Sequence, residues 1–300
     1  MRLYTCHLPK TGGTSILYSY NKCFGNEKIF RIGKAGVILQ NREFIDFCLR
    51  KDITKFNLNK FKHISGHAND SRLLTFLDLN PLTFKTFLII RDPLSLFWSQ
   101  YYQSTIDGKK NFTPEQFLKK RGNSGFFDFY KNKFSALTGK NNNLEFKELL
   151  MLFNYIFETK DLTKVIGTIE PDLKNSIRNK RRVRSLFKGF KPHPYQGDPE
   201  FNEKIVNFKD IDNEFYLECK KCISKDGFSN KLFDPSYLED SFKNLKLNYP
   251  KEDVREYFRN NVLKKFLRKK YESDKFNKIN IIAWNIILKK YSTNIEELIS

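Results

Sequence analysis

His7-Leu8-Pro9-Lys10-Thr11-Gly12-Gly13-Thr14-Ser15 follows a short apolar lead, Leu3, Tyr4 and Cys6, and runs into Ile16-Leu17-Tyr18-Ser19-Tyr20. This order predicts a strand, a tight loop and a helix. Gly12 and Gly13 let the backbone bend without a Cβ clash and bring amide groups close to a ligand, and amides at a helix N-terminus form an anion site. Lys10 adds a mobile positive charge, and Thr11, Thr14 and Ser15 add hydroxyl donors. The stretch therefore reads as a cradle for a phosphate-like group. It is not a Walker A loop, because its lysine precedes the glycines and G-x-x-x-x-G-K-[ST] is absent. An ordinary Gly-Gly turn is the plain alternative.

The frame around this loop is large enough for a sizeable core. The chain has 300 residues, 40% hydrophobic and 15% aromatic, which argues for a globular protein despite a formal net charge of +20. Such a charge attracts polyanions in general: nucleic acid, an anionic membrane surface, an acidic glycan or a polyanionic nucleotide. Five cysteines, Cys6, Cys23, Cys48, Cys219 and Cys222, are too few and too scattered for a disulfide framework, so a reducing compartment is expected. Cys219-Lys220-Lys221-Cys222 has the C-x-x-C spacing, but no second pair completes a zinc site, and the expectation is a coincidence of helical spacing. No apolar run reaches membrane-spanning length and no secretory leader is legible. The expected location is accordingly the cytoplasm, with peripheral contact to an anionic membrane left open.

Two further stretches end in groups suited to the same chemistry. Phe61-Lys62-His63-Ile64-Ser65-Gly66-His67 reads as a short strand with His67 just past its end. Ligands of open α/β sheets gather beyond the carboxyl ends of strands, which would put His67 on the rim that carries Lys10. A histidine there can accept a hydroxyl proton near neutral pH, although a lone histidine at a strand end is often structural; His63 is the next candidate base. Thr83-Phe84-Lys85-Thr86-Phe87-Leu88-Ile89-Ile90 is a continuous apolar run, as a central parallel strand should be. It stops at Arg91-Asp92-Pro93, and Leu94 to Tyr102 continues as an amphipathic helix in which Pro93 fits the first turn. A planar guanidinium at the strand end suits a phosphate, because its donors form a fixed fork. Arg91-Asp92 as a salt-bridged helix start is the plain alternative.

PKTGGTS resembles the 5′-phosphosulfate loop of sulfotransferases that use 3′-phosphoadenosine 5′-phosphosulfate (PAPS), and LIIRDPLSLFWSQYY resembles their 3′-phosphate motif, with Arg91 and Ser99 as its two anchors. The Ser-Gly-His segment resembles the one that carries the catalytic histidine in heparan sulfate 2-O-sulfotransferase-like enzymes. Weaker similarity continues at Asn132–Gly139, which resembles a family segment that precedes a long helix, here at about 144–159, at Lys164–Glu170 as a strand, and at Ile211–Glu218 as a helix. The resemblance implies an α/β, three-layer P-loop nucleotide-kinase-like fold with a central parallel sheet in residues 1–225. A helical C-terminal extension would follow at 226–300. It further implies transfer of a sulfuryl group from PAPS to an acceptor hydroxyl, most readily a carbohydrate, with His67 and Lys10 catalytic. Lys10, Thr11, Gly12, Gly13, Thr14, Ser15, Arg91 and Ser99 would bind the nucleotide, without a metal. The absence of an anchor points to a microbial or viral enzyme.

The basic run Arg178 to Arg184, with Phe187 to Tyr195 after it, lies where the family closes a loop over the nucleotide, although the usual residues of that loop are not matched. Val254, Tyr257, Phe258, Val262, Phe266 and Leu267 recur at helical spacing opposite a lysine-rich face, and Phe44 to Leu49 suggests a further buried helical face. Two rival functions remain open: an ATP-dependent kinase of similar topology, and a basic nucleic-acid-binding module. No nucleic-acid partner is expected on the sulfotransferase reading, and the oligomeric state is not legible.

Overall fold

A computed structural model describes residues 2–6, 11–31, 61–66, 81–107, 111–121, 125–138, 144–174, 176, 192–250 and 253. Among the described residues the strands are β1 (Leu3–Cys6), β2 (Ile29–Arg31), β3 (His63–Gly66), β4 (Lys85–Ile90), β5 (Tyr155–Glu158) and β6 (Phe228–Ser229), in the sheet order β2-β3-β1-β4-β5-β6. β1 to β5 run parallel, and β6 is antiparallel at the edge beside β5. The sheet is thus mixed rather than wholly parallel. The departure comes from residues past 225: a reversal at Gly227, whose φ is +89°, returns Phe228 and Ser229 along Phe157 and Ile156.

Among the described residues nine α-helices accompany the sheet: α1 (Gly13–Phe24), α2 (Pro93–Tyr102), α3 (Pro114–Arg121), α4 (Phe126–Thr138), α5 (Phe146–Met151), α6 (Leu162–Ile169), α7 (Pro199–Phe208), α8 (Asp210–Cys222) and α9 (Pro235–Asn248). Strand residues alternate between two cores, as a period of two requires. Leu3, Ile29, Phe87, Ile89 and Phe157 pack with Ile16 and Tyr20 of α1 and with Leu162, Val165 and Ile166 of α6. Tyr4, Phe30, Ile64, Leu88, Ile90 and Ile156 pack on the opposite face with side chains of α4, α5, α8 and α9, such as Phe134, Leu149, Phe215 and Leu238. Helices therefore cover both faces of the sheet. Each such side chain, removed from water, contributes roughly 1.5–3 kcal/mol before the entropy of ordering it is counted. Among the described residues no helix is long and apolar enough to cross a membrane.

Two expected elements are corrected. Lys164 to Glu170 is expected as a strand on the family resemblance, yet Lys164 to Ile169 belongs to α6 and Glu170 is its C-cap. Leu162, Val165, Ile166 and Ile169 recur every three or four residues and line the buried side of one helix. The helix expected over 144–159 is the short α5 followed by β5. Asn154 enforces the change: its Oδ1 accepts from Thr86 N at 2.7 Å and from Thr86 Oγ1 at 2.9 Å, while Asn154 N donates to Thr86 Oγ1 at 3.1 Å. That clamp sets Tyr155-Ile156-Phe157 into the open slot beside β4, where their β-prone side chains pack on both faces. The stretch from Asn132, expected to precede a helix, is itself part of α4, whereas Ile211–Glu218 is helical as expected. The helical expectations at 44–49 and 254–267 lie outside the described residues, as does the basic stretch at 178–191.

Candidate functional site

The parallel strands β1, β3, β4 and β5 deliver their carboxyl ends to one rim, and the sheet order reverses between β1 and β4. Elements from β1 through β3 lie on one side, and β4 onward on the other. A crevice at such a reversal is where open α/β sheets bind ligands. The two sequence motifs follow the strands on either side of this reversal: Thr11–Ser15 begins after the four residues that follow β1 and leads into α1, and Arg91 directly follows β4.

Gly12 is the N-cap of α1 at φ +91°, a left-handed conformation that favours glycine. Space imposes the same choice, since a side chain starting at Gly12 would meet Leu162 Cδ2 at 3.0 Å and Thr159 Cγ2 at 3.6 Å. Ser15 N and Ile16 N donate to Gly12 O at 2.9 and 3.3 Å, which starts the helix. Gly12 as N-cap has no side chain with which to cap α1, and the first turn carries no acidic residue. The leading amides of a helix have no intrahelical acceptor, so the first turn of α1 carries the positive end of its dipole. Thr11 and Ser15 are buried and Thr14 is exposed. Gly12→Ala is expected to cost about 2–5 kcal/mol, from a left-handed non-glycine residue plus overpacking on Leu162. The measurement is the urea midpoint, and an unchanged midpoint would contradict this packing.

At the second motif, Asp92 caps α2, with its Oδ2 accepting from Ser95 N at 2.7 Å and Pro93 in the first turn. The aspartate next to Arg91 thus has a role of its own as a helix cap. Arg91 and Ser99 are both half-buried. Ser99 sits within α2, about 9 Å along its axis from Pro93 at ~1.5 Å per residue, so Arg91 and Ser99 flank the same helix from its start and its second turn. The flanking Trp98, Tyr101 and Tyr102 pack instead with Phe117 of α3 and Phe201 of α7. The described end of the aromatic loop docks on this face. The His193 ring lies 6.3 Å from that of Trp98 at 25°, and His193 N donates to Tyr102 Oη at 2.8 Å. Tyr102 Oη in turn donates to Gln196 Oε1 at 2.7 Å.

A third group on the rim was not found in the sequence. Glu158, the last residue of β5, is paired in register with Ile90, the residue before Arg91. Its Oε1 accepts from Tyr216 Oη of α8 at 2.6 Å, and its Oε2 lies 2.6 Å from Lys160 Nζ. Burial opposes its charge, but the Lys160 and Tyr216 hydrogen bonds outweigh that and hold the carboxyl below its ordinary range. Burial first, and then the bond to Glu158, push the Tyr216 phenol well above its ordinary value. The next residue, Thr159, donates through Oγ1 to Ile90 O at 3.0 Å. An acidic residue closing a strand was the available signal, but its partner in α8 is 58 positions away.

Lys10 and His67 lie outside the described residues. His63 is placed, and not on the rim: it opens β3, three residues before that strand's carboxyl end, or ~10 Å along the strand. Its side chain is fully buried, with Nε2 3.0 Å from Thr5 Oγ1 and its ring 4.6 Å from that of Tyr20. It is a core residue. Cys219 and Cys222 fall on α8, with Cys219 in the core beside Phe215 and its thiol pushed up chiefly by burial. Among the described residues no group of three or more His, Cys, Asp or Glu side chains could hold a metal ion. Comparison with protein-family models, with curated proteins and with solved structures gives no match.

Proposed function

We propose that the chain transfers a sulfuryl group from PAPS to a hydroxyl of an acceptor, with a carbohydrate as the acceptor class, on a three-layer, nucleotide-kinase-like fold. The observation that carries this reading is the placement of two phosphate-suited motifs, Thr11–Ser15 and Arg91, past the ends of adjacent parallel strands where the sheet order reverses. The loop supports a 5′-phosphate site by its left-handed Gly12 and by the leading amides of α1. Arg91 supports a 3′-phosphate site because its fork suits a dianion, and Ser99 supplies a hydroxyl on the helix that follows.

In this reading His67 takes the proton of the acceptor hydroxyl as its oxygen bonds sulfur and the bridging S–O bond breaks, the electron pair leaving with 3′-phosphoadenosine 5′-phosphate (PAP). Lys10 offsets the negative charge that grows on the bridging oxygen. Positioning and charge neutralisation supply most of the catalysis in such transfers. The net charge of +20 favours a polyanionic donor and an acidic glycan acceptor.

Calorimetric titration with PAP, ATP and an oligonucleotide tests the reading against a kinase and against a nucleic-acid module. Sulfate transfer from labelled PAPS over a panel of glycans then tests the reaction. Tight binding of PAP alone, followed by label in a glycan, is the expected outcome. Preference for ATP with Mg²⁺, or for the oligonucleotide, would replace the proposal with one of its rivals.

A further inference from the structure

Thr159 stands between the two halves of the proposed nucleotide site. Its Oγ1 donates to Ile90 O at 3.0 Å, the carbonyl of the peptide that leads into Arg91. Its Cγ2 lies 3.6 Å from where a side chain on Gly12 would begin. Strand register produces this arrangement: Ile90 pairs with Glu158, so Thr159 leaves β5 level with Arg91. From there the chain turns through Thr159–Asp161 into α6, whose first residue, Leu162, closes the remaining space over Gly12. The two contacts use different atoms and different physics. The hydroxyl holds a strand-end carbonyl, and with it the peptide plane from which Arg91 projects. The methyl faces the side of Gly12 on which a Cβ would stand, at the bend that opens α1.

We infer that Thr159 is a positioning residue that sets the two phosphate-binding halves relative to each other, its hydroxyl acting on the 3′-phosphate side through Arg91 and its methyl on the 5′-phosphate side through Gly12. This rests on the proposed roles of Arg91 and the glycine loop. It also predicts that the two effects separate. Thr159→Val keeps a methyl toward Gly12 and removes the hydrogen bond, whereas Thr159→Ser keeps the hydroxyl and removes the methyl.

Calorimetry with PAP and with AMP, on the wild-type chain and both variants, reads the separation, and thermal melting checks that all three are folded. For Thr159→Val, AMP affinity is expected within about twofold of wild type, while PAP weakens roughly three- to tenfold, the scale of one hydrogen bond. For Thr159→Ser, both nucleotides are expected to weaken by a similar factor, so that the PAP-over-AMP preference is kept. A preference that survives Thr159→Val, or parallel losses in both variants, would overturn the inference alone. Equal affinity of the wild-type chain for PAP and AMP would overturn the role of Arg91 and this inference with it.

Discussion

Replacing His67 by alanine is expected to leave PAP affinity nearly unchanged and to lower sulfate turnover roughly 10²–10⁴-fold, the usual value of one positioned proton acceptor. The residue follows Gly66, the last residue of β3, which is paired in register with Cys6 at the end of β1, whereas the nucleotide motifs follow β1 and β4. Loss of a base on the acceptor side should therefore spare the donor. Lys10→Ala should differ by damaging both properties, because an ammonium in the anion loop meets the donor in the ground state and more charge in the transition state. The wild-type rate should also fall on acidification, since a protonated imidazole accepts no proton. His63 offers no substitute, being enclosed in the core with Thr5 and Tyr20. A folded His67→Ala protein with near-wild-type turnover would contradict the assignment.

Arg91→Ala should weaken PAP at least about tenfold, and roughly 10²-fold or more if two charge-assisted bonds of ~1.5–3 kcal/mol each are lost. AMP, which lacks the 3′-phosphate, should change little. Arg91→Lys should recover only part of the loss, because a point charge replaces a fork. Thermal melting accompanies both variants, as Arg91 is half-buried at the end of a core strand. Equal weakening of PAP and AMP would assign Arg91 to the structure of the rim rather than to the 3′-phosphate.

The legible parts of the fold were those governed by neighbours in sequence. β4 declared itself by an unbroken apolar run, α2 by Asp92 and Pro93 at its start, and the β1–α1 loop by paired glycines. The strand expected at Lys164 to Glu170 rested on resemblance alone, while the period of the apolar residues Leu162, Val165, Ile166 and Ile169 favours the helix that forms. β5 was hidden because its start depends on Asn154 finding Thr86, 68 positions earlier. The rim shows the same division. Gly12 and Arg91 stand inside local motifs, but Glu158 and Thr159 acquire their positions from Tyr216 of α8 and Ile90 of β4. Such partners are set by sheet order and helix packing, which no local pattern specifies.

Titration of the wild-type chain with PAP and with AMP in Mg²⁺-free buffer asks most directly whether the rim between β1 and β4 holds a 3′-phosphorylated nucleotide. Binding of PAP at least about tenfold more tightly than AMP, the scale expected of an arginine–phosphate fork, is the predicted result. Equal affinities, or no binding of either, would contradict it.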